Sequence, residues 1–231
     1  MLHYTFDNNT LDHSDVDGSF QDASVIGTEN YAKGKNNDNF GAYQFKDNDY
    51  LNVSSVSLNS NPFSICLWAL PESFVESRMD LLNTGNSGLK LGYKENGGKI
   101  FFNENNVPTN NQYGLMEWSH LCLTYDGSNK LELYANGEAL KNAQESITMG
   151  TFSLQIGASY DGSNNWNGRI DDFKLFDRKL AGDEIFDLYF EESRDLEGFF
   201  PLAGNALDHS GHQRNGGSVS ITGSNGWSGT S

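Results

Sequence analysis

The sequence predicts an all-β protein, a two-sheet antiparallel sandwich with one short C-terminal helix. Two observations carry this prediction. Short segments in which apolar and polar residues alternate recur along the 231-residue chain, and a period of two is typical of a strand with one buried face. Turn dipeptides that favour hairpins separate these segments. Evenly spaced strands and turns indicate a sandwich rather than alternating strands and helices.

The clearest strand segment is 63–70, where Phe63, Ile65 and Leu67 share one face. Three further segments alternate in the same way: 130–135, 152–156 and 173–176. The dipeptide Asn136-Gly137 follows the second of these and favours a two-residue hairpin turn, because both residues tolerate a positive φ. The segments therefore predict strands joined by tight turns.

One segment has helical rather than strand periodicity. Ile185, Leu188 and Tyr189 are spaced as i, i+3 and i+4, and Asp183 and Glu184 precede them. Acidic side chains are favourable in the first turn of a helix because they face the positive end of its dipole. The pattern predicts a short helix near residue 185 with its apolar stripe against the sandwich.

The charge of the chain limits its partners. The sequence has 15 Lys and Arg against 31 Asp and Glu, a formal net charge of −16. Nucleic-acid binding depends on basic side chains that neutralise phosphates, so nucleic acid is not an expected partner. No segment approaches the roughly 18 apolar residues of a membrane span, so membrane insertion is not expected either. The acidic balance favours affinity for cations such as calcium.

Two cysteines, Cys66 and Cys122, each lie in an apolar run. Apolar neighbours favour buried thiols, because free cysteine behaves as a small hydrophobic residue. A disulfide between them is the alternative, and the sequence leaves their oxidation state open.

An internal repeat divides the chain. Residues 4–14 match residues 200–210 at a constant offset of 196, and Leu-Asp-His-Ser is identical in both copies. The repeat predicts a complete domain over 1–195, followed by the truncated start of a second similar repeat over 196–231. Because 36 residues are too few to close a core, a strand of this tail would add to the first domain or to another chain, which allows self-association.

The segments, taken in order, resemble the laminin-G-like and concanavalin A-like jelly-roll modules over roughly residues 2–190. Each motif is weak alone, but their common order is specific. The matching segments are 6–7, 11–14, 49–53, 63–68, 117–121, 123–127, 131–138, 154–157 and 166–176. The resemblance implies a jelly-roll sandwich of about a dozen strands.

The resemblance also implies a structural calcium site that joins the first strand region to the last. Asp171 is the expected ligand near the end of the domain, with Asp7 or Asp12 near its start and a backbone carbonyl around Gly41. Carboxylate and carbonyl oxygens are the ligands that calcium prefers. The alternative is that the acids of the last strand only pair with nearby arginines.

Catalysis is not expected. Jelly-roll glycosidases that retain configuration need two carboxylates about 5–5.5 Å apart, presented by alternate residues of one strand. The nearest acidic string, 184–191, has helical spacing and a helical apolar stripe. The sequence therefore predicts that the protein is not an enzyme, and a hydrolase with an unrecognised site is the remaining alternative.

Carbohydrate binding is the predicted function. Sugars bind where an aromatic ring meets their C–H faces and polar side chains engage their hydroxyls. Several loops are rich in Asn and Tyr, although such loops can also be ordinary turns. The candidate ligand-binding residues are Arg78, Tyr93, Asn103, Tyr160 and Trp166.

The sequence thus predicts a lectin-like, non-catalytic carbohydrate-binding module. It would belong to a larger extracellular or cell-surface protein, bind a polysaccharide or other glycan, and adjoin other domains of its parent. The alternative is an adhesion or spacer module of a tandem-repeat surface protein, which binds a protein or no ligand.

Overall fold

Two antiparallel sheets and one helix form the part of the chain that this computed structural model describes. The described residues are 1–14, 21–58, 61–74, 76–85, 88–95, 98–103, 105–108, 113–144, 147 and 150–193. The predicted second repeat, 196–231, lies outside the described residues, so the domain boundary and the self-association remain predictions.

Fifteen strands and one helix occur within the described residues. They are β1 Leu2–Tyr4, β2 Ser24–Ile26, β3 Tyr31–Ala32, β4 Ala42–Phe45, β5 Tyr50–Leu58, β6 Phe63–Pro71, β7 Arg78–Asn83, β8 Lys90–Lys94, β9 Lys99–Phe102, β10 Asn105–Pro108, β11 Ser119–Tyr125, β12 Lys130–Ala135, β13 Glu138–Gln144, β14 Gly150–Ile156, β15 Gly168–Phe176 and α1 Gly182–Ser193. The count exceeds the expected dozen because several strands have only two to four residues.

The strands form an eight-stranded sheet and a seven-stranded sheet. The eight-stranded sheet has the order β13-β12-β11-β6-β15-β4-β3, with β1 paired to β15, and the seven-stranded sheet has the order β10-β9-β8-β7-β14-β5-β2. All these pairings are antiparallel. The predicted two-sheet antiparallel sandwich is confirmed.

The core lies between the two sheets. Phe63, Ile65 and Leu67 are buried there, as their alternation in the sequence predicts. Met79 and Leu91 contribute from the seven-stranded sheet. Burial of each such side chain stabilises the fold by roughly 1.5–3 kcal/mol. The residues between these core positions point to the two outer faces of the sandwich.

Helix α1 covers the outer face of the eight-stranded sheet, as predicted. Ile185 is fully buried and packs with Leu180 and Tyr134. The carboxylate of Glu184 accepts the backbone N–H of Ala181 at 2.8 Å and pairs with Arg178 at 2.8 Å. Glu184 thereby caps the helix start, where Ala181 has no side-chain acceptor.

A disulfide joins Cys66 and Cys122 beneath this helix. The prediction of two buried thiols is therefore wrong in oxidation state, although both residues are buried. Cys66 on β6 and Cys122 on β11 lie directly opposite each other in the strand register. The sequence indicated two buried strand positions, but their pairing depends on how β6 and β11 align.

His120 is a buried residue of β11 beside the end of α1. Its ring lies 5.3 Å from that of Trp68 and 6.1 Å from that of Tyr189, measured between ring centroids. Burial, with a smaller contribution from the nearby charge of Lys174, lowers the pKa of His120 to about 3. A neutral, enclosed imidazole of this kind packs as an aromatic residue of the helix–sheet contact.

Gly168 begins β15, where three strands come close together. It lies opposite Pro71 of β6 and Phe45 of β4 and has a φ of 155°. A Cβ atom at this position would overlap the carbonyl oxygen of Leu70. Only glycine fits here without displacement of the β6 backbone.

We expect Gly168→Ala to lower the free energy of unfolding by about 2 kcal/mol, because strain and overlap with a backbone atom add. Gly150→Ala is the matched control, since Gly150 also begins a strand with a φ of 151° but has no atom within 4 Å of its Cβ position. Chemical denaturation of both variants separates the two causes. Equal losses would contradict the assigned overlap.

Candidate functional site

A pocket of about 290 Å³ opens on the outer face of the seven-stranded sheet. Strands β7 and β8 form one side, and residues 157–167, which join β14 to β15, form the other. The lining residues are Arg78, Asn83, Lys90, Ser159, Tyr160, Asp161, Ser163 and Asn164. The pocket therefore combines one aromatic ring with hydroxyl, amide and charged groups.

One buried carboxylate holds the two sides of the pocket together. Asp80 is fully buried, and its Oδ1 accepts the Nε–H of Arg78 at 2.6 Å. Its Oδ2 accepts hydrogen bonds from Nη2 of Arg78 at 2.7 Å, from Nδ2 of Asn83 at 2.7 Å and from Oγ of Ser159 at 2.8 Å. Asp80 thus orients three lining residues, and the bidentate pair fixes the plane of the guanidinium.

The loop side of the pocket is tied to β7 through its backbone. The carbonyl oxygen of Asn164 accepts the N–H of Asp80 at 2.8 Å, and Nδ2 of Asn164 donates to Oγ of Ser159 at 2.9 Å. The ring of Tyr160 stands beside Gly85 and is 55% exposed. The loop therefore presents an open aromatic face next to an ordered polar wall.

The structure brings together two of the five predicted ligand-binding residues, because Arg78 and Tyr160 both line this pocket. Asn103 lies at the end of β9, and its Oδ1 accepts the N–H of Lys90 at 2.9 Å. Asn103 is only 8% exposed, and its amide oxygen links the ends of β8 and β9 rather than lining the pocket.

Tyr93 and Trp166 lie in the core instead. Their ring centroids are 5.5 Å apart, and the residues are 1% and 0% exposed. Tyr93 shares the inner face of β8 with Leu91, because alternate residues of a strand point the same way. The structure corrects their assignment as ligand contacts, since neither ring has a face open to a sugar.

A second cluster of oxygen atoms surrounds Gly34, in the connection between β3 and β4. A Cβ atom on Gly34 would lie 2.6 Å from Oδ1 of Asp38, 2.9 Å from Oδ2 of Asp171 and 2.9 Å from the carbonyl oxygen of Gly41. Two carboxylates and one carbonyl thus converge around one glycine. Gly41 and Asp171 were predicted from the sequence, whereas Asp38 was missed.

This cluster of acids has a nearby cation, Lys35, which pairs with Asp172 at 3.0 Å and partly offsets the effect of burial on Asp171. Burial raises the pKa of Asp171 to about 8, and the charge of Asp172 adds to the shift. Burial also raises the pKa of Asp7, and the charges of Asp38 and Asp172 contribute. Asp7 is therefore an electrostatic neighbour of the oxygen cluster, and its role as a calcium ligand stays a prediction.

Asp12 has a different role from the predicted one. Its Oδ1 accepts the N–H groups of His3 at 3.0 Å and Ser14 at 2.9 Å, and its Oδ2 accepts the N–H of Gln21 at 3.2 Å. Burial alone would raise the pKa of Asp12, but these hydrogen bonds outweigh it and lower the pKa. Asp12 thus stabilises the backbone next to β1 and does not join the cluster around Gly34.

The donor set fits calcium only with backbone participation. Within the described ranges, no three His, Cys, Asp or Glu side chains form a group that could hold a metal ion. Calcium accepts carbonyl and water oxygens besides carboxylates. The carboxylates of Asp38 and Asp171 and the carbonyl of Gly41 meet that requirement, and Asp38 is exposed enough for water to complete the shell.

The fold and the pocket together define a class of protein. A two-sheet jelly-roll sandwich with a polar pocket beside an outer sheet face is the architecture of concanavalin A-like domains. The family model described as the concanavalin A-like lectin/glucanases superfamily, of the laminin G type, matches residues 45–186. This match covers more than half of the chain, so the chain belongs to that family.

Solved structures with the same fold include one domain of an arabinanase and parts of botulinum neurotoxins. Domain 4 of AbnA, a GH43 extracellular arabinanase from Geobacillus stearothermophilus solved with arabinotriose, is 19% identical with a TM-score of 0.65, over 81% of this chain and 97% of that domain. A structure of botulinum neurotoxin type C, whose cell entry depends on interaction with two ganglioside molecules, is 20% identical with a TM-score of 0.64, over 84% of this chain and 51% of that chain.

The binding domain of botulinum neurotoxin DC in complex with SialylT is 16% identical with a TM-score of 0.61, over 83% of this chain and 50% of that domain. This chain therefore spans about half the length of the toxin domains that it matches. At these identities the likeness concerns the fold. In the described part of the chain, α1 is also too short and too polar to be a membrane span.

Proposed function

We propose that this protein is a non-catalytic, lectin-like carbohydrate-binding module of a larger extracellular or cell-surface protein. The observation that carries the proposal is the pocket in which the exposed ring of Tyr160 adjoins polar groups ordered by Asp80. Related folds that were solved with arabinotriose or studied with gangliosides support a glycan as the ligand.

The pocket has the two kinds of group that sugars require. The face of Tyr160 can pack against sugar C–H groups, and the hydroxyls and amides of the wall can exchange hydrogen bonds with sugar hydroxyls. Because Asp80 already orders Arg78 and Ser159, little side-chain entropy remains to be lost on binding. Preorganisation of this kind increases affinity without additional contacts.

The carboxylates at the pocket support a binding role rather than hydrolysis. A retaining glycosidase needs two carboxyl groups about 5–5.5 Å apart that act on the substrate. Asp80 is occupied by hydrogen bonds from three side chains, and Asp161 accepts a hydrogen bond from Ser163 of its own loop at 2.6 Å. The Glu-x-Asp-x-x-Glu pattern of the jelly-roll glycosidases also occurs nowhere in the sequence.

The disulfide supports the proposed location. Disulfides form and persist mainly in secreted and cell-surface proteins, because the cytosol keeps thiols reduced. The bond between Cys66 and Cys122 is buried beneath α1. An extracellular or cell-surface parent protein fits this oxidation state.

A structural calcium is part of the proposal. Asp38, Asp171 and the carbonyl of Gly41 would hold it, with Asp7 nearby. When bound, the ion would supply positive charge to these acids. The residues themselves would then link the connection between β3 and β4 to the last strand, which stabilises the domain.

An adhesion or spacer module remains the alternative function. Two exposed apolar pairs favour it: Phe186 and Phe190, whose rings stack on α1, and Leu115 and Met116 before β11. Exposed apolar side chains that lie together often mark protein contacts. Binding of a protein through these pairs, without glycan binding, would favour this alternative.

We expect Tyr160→Ala to weaken glycan binding about tenfold, because the substitution removes the only large ring among the described residues that line the pocket. A glycan array in the presence of calcium identifies the ligand, and calorimetry then compares the variants. Phe190→Ala is the control, since it removes an exposed aromatic ring of α1, the helix that covers the other sheet. Flat responses to every glycan, or equal losses in both variants, would contradict the proposed pocket.

A further inference from the structure

Four basic side chains lie on the outer face of three neighbouring strands. The strand register places Arg78 of β7 opposite Lys94 of β8, and Lys94 opposite Lys99 of β9. Lys90 lies on the same face of β8 and lines the pocket. We refer to Arg78, Lys90, Lys94 and Lys99 as the cationic row.

Such a row is unfavourable for folding by itself. Like charges directly opposite each other on a sheet destabilise it. The row holds four of only 15 basic residues in a chain with a net charge of −16. Burial of the hydrophobic core does not require cations at these outward positions.

The fold neutralises only part of the row. Asp80 pairs with Arg78 at 2.6 Å, and Glu95 pairs with Lys99 at 2.7 Å. Lys94, between them, has no ion pair with any carboxylate in the described part of the chain. The centre of the row therefore keeps a positive charge that an anionic ligand group could neutralise.

An aromatic ring holds the cations in place. Nζ of Lys94 lies 4.6 Å and Cζ of Arg78 lies 4.8 Å from the ring centroid of Phe101. Phe101 is fully buried beneath them, and a Cβ atom on the neighbouring Gly92 would lie 2.8 Å from its ring. Cation–π contacts of this geometry stabilise a charged side chain in one position.

We infer that the cationic row extends the pocket and selects glycans that carry carboxylate or sulfate groups. This inference rests on the proposed function, because it assigns the ligand class of the same site. Arg78 and Lys90 belong to both the pocket and the row, so a sugar chain in the pocket continues along Lys94. Three strands span about 10 Å, which is within reach of neighbouring sugar units.

The negative net charge does not prevent this interaction. At physiological salt the Debye length is about 8 Å, so acidic groups elsewhere on the surface are largely screened at Lys94. Duplex DNA carries one charge per about 1.7 Å and is repelled by the remaining acidic surface. A glycan with at most one charge on each sugar presents far fewer charges to that surface.

Two matched pairs of polysaccharides test the inference by calorimetry at 0.15 M and 0.5 M NaCl with calcium present. Polygalacturonate is compared with its methyl-esterified form, and dextran sulfate of low substitution, with at most one sulfate per glucose, is compared with dextran. We expect at least one charged member to bind about tenfold more tightly than its neutral partner, with a preference that falls at high salt. The pair that responds separates carboxylate from sulfate recognition.

Lys94→Gln is the test variant. Lys46→Gln is the matched control, because it removes the same charge from an exposed turn before β5, outside the cationic row. We expect Lys94→Gln to weaken binding of the charged member about threefold or more and to leave the neutral member unchanged. Equal affinity for charged and neutral members, or an equal effect of both variants, would overturn the inference. If the inference fails but neutral glycans still bind, the proposed function stands. If no glycan on the array binds, both the inference and the proposed function are overturned.

Discussion

Chelation of calcium is expected to lower the melting temperature of this protein by roughly 8–16 °C. A ligand at about 1,000 times its Kd stabilises the folded state by about 4 kcal/mol. For a domain of about 150–250 residues, each kcal/mol corresponds to roughly 2–4 °C. Differential scanning fluorimetry with calcium and with excess chelator measures the difference.

The expected effect follows from the oxygen cluster around Gly34. Asp38, Asp171 and the carbonyl of Gly41 lie within 3 Å of one point, and Asp171 is buried. A cation there would offset the repulsion between the acids and the cost of burying Asp171. Without the cation, the connection between β3 and β4 loses a link to β15.

Variants identify the ligands. Asp171→Ala and Asp38→Ala are both expected to melt at the same temperature with and without chelator. Asp38 is exposed, so the Asp38→Ala variant is expected to fold. It therefore tests the site even if the substitution of buried Asp171 prevents folding. Asp12→Asn is the control and should keep the difference, since Asp12 bonds to backbone N–H groups. Equal melting of the unmodified protein in both buffers would contradict the calcium site.

Asp80→Asn is expected to reduce both stability and glycan affinity. The substitution removes the charge partner of Arg78 and leaves donors of Asn83 and Ser159 without their present acceptor. Loss of one partner of a buried ion pair lowers the free energy of unfolding by about 3–5 kcal/mol. Because Arg78 is partly exposed and solvent screens its charge, we expect a loss of about 3 kcal/mol, at the lower end of this range. Affinity should fall about 10- to 100-fold, because the pocket wall is no longer preorganised.

Chemical denaturation measures the stability of this variant, and calorimetry with the glycan identified on the array measures its affinity. Glu95→Gln is the stability control, because it breaks the ion pair between Glu95 and Lys99. The side chain of Glu95 is 63% exposed. An exposed pair contributes at most about 1 kcal/mol. Unchanged glycan affinity in Asp80→Asn would show that the Asp80 hydrogen bonds do not order the site.

Much of the fold could be predicted because its signals are local. The alternation over 130–135 coincides with β12, and Asn136-Gly137 forms the two-residue turn to β13, with Ala135 opposite Glu138. Their φ angles of 49° and 81° are those that Asn and Gly tolerate. The helical spacing of Ile185, Leu188 and Tyr189 likewise lies within α1.

The candidate site was predicted only in part, because its residues come from distant segments. Arg78 and Tyr160 were recognised as the residue types that bind sugars, and both line the pocket. Tyr93 and Trp166 have the same chemistry but point into the core. Asp80 had no distinguishing signal, because its importance comes from Ser159, which is 79 residues away in the sequence.

By itself, the sequence determined the strands, the turns, the helix and the acidic character of this protein. These features depend on neighbouring residues, so a period or a dipeptide is sufficient to predict them. Only the tertiary structure decided that Cys66 faces Cys122, that Asp38 joins Asp171, and that Arg78 faces Lys94. Each of these contacts depends on strand order and register, where a shift of one residue turns every side chain to the other face.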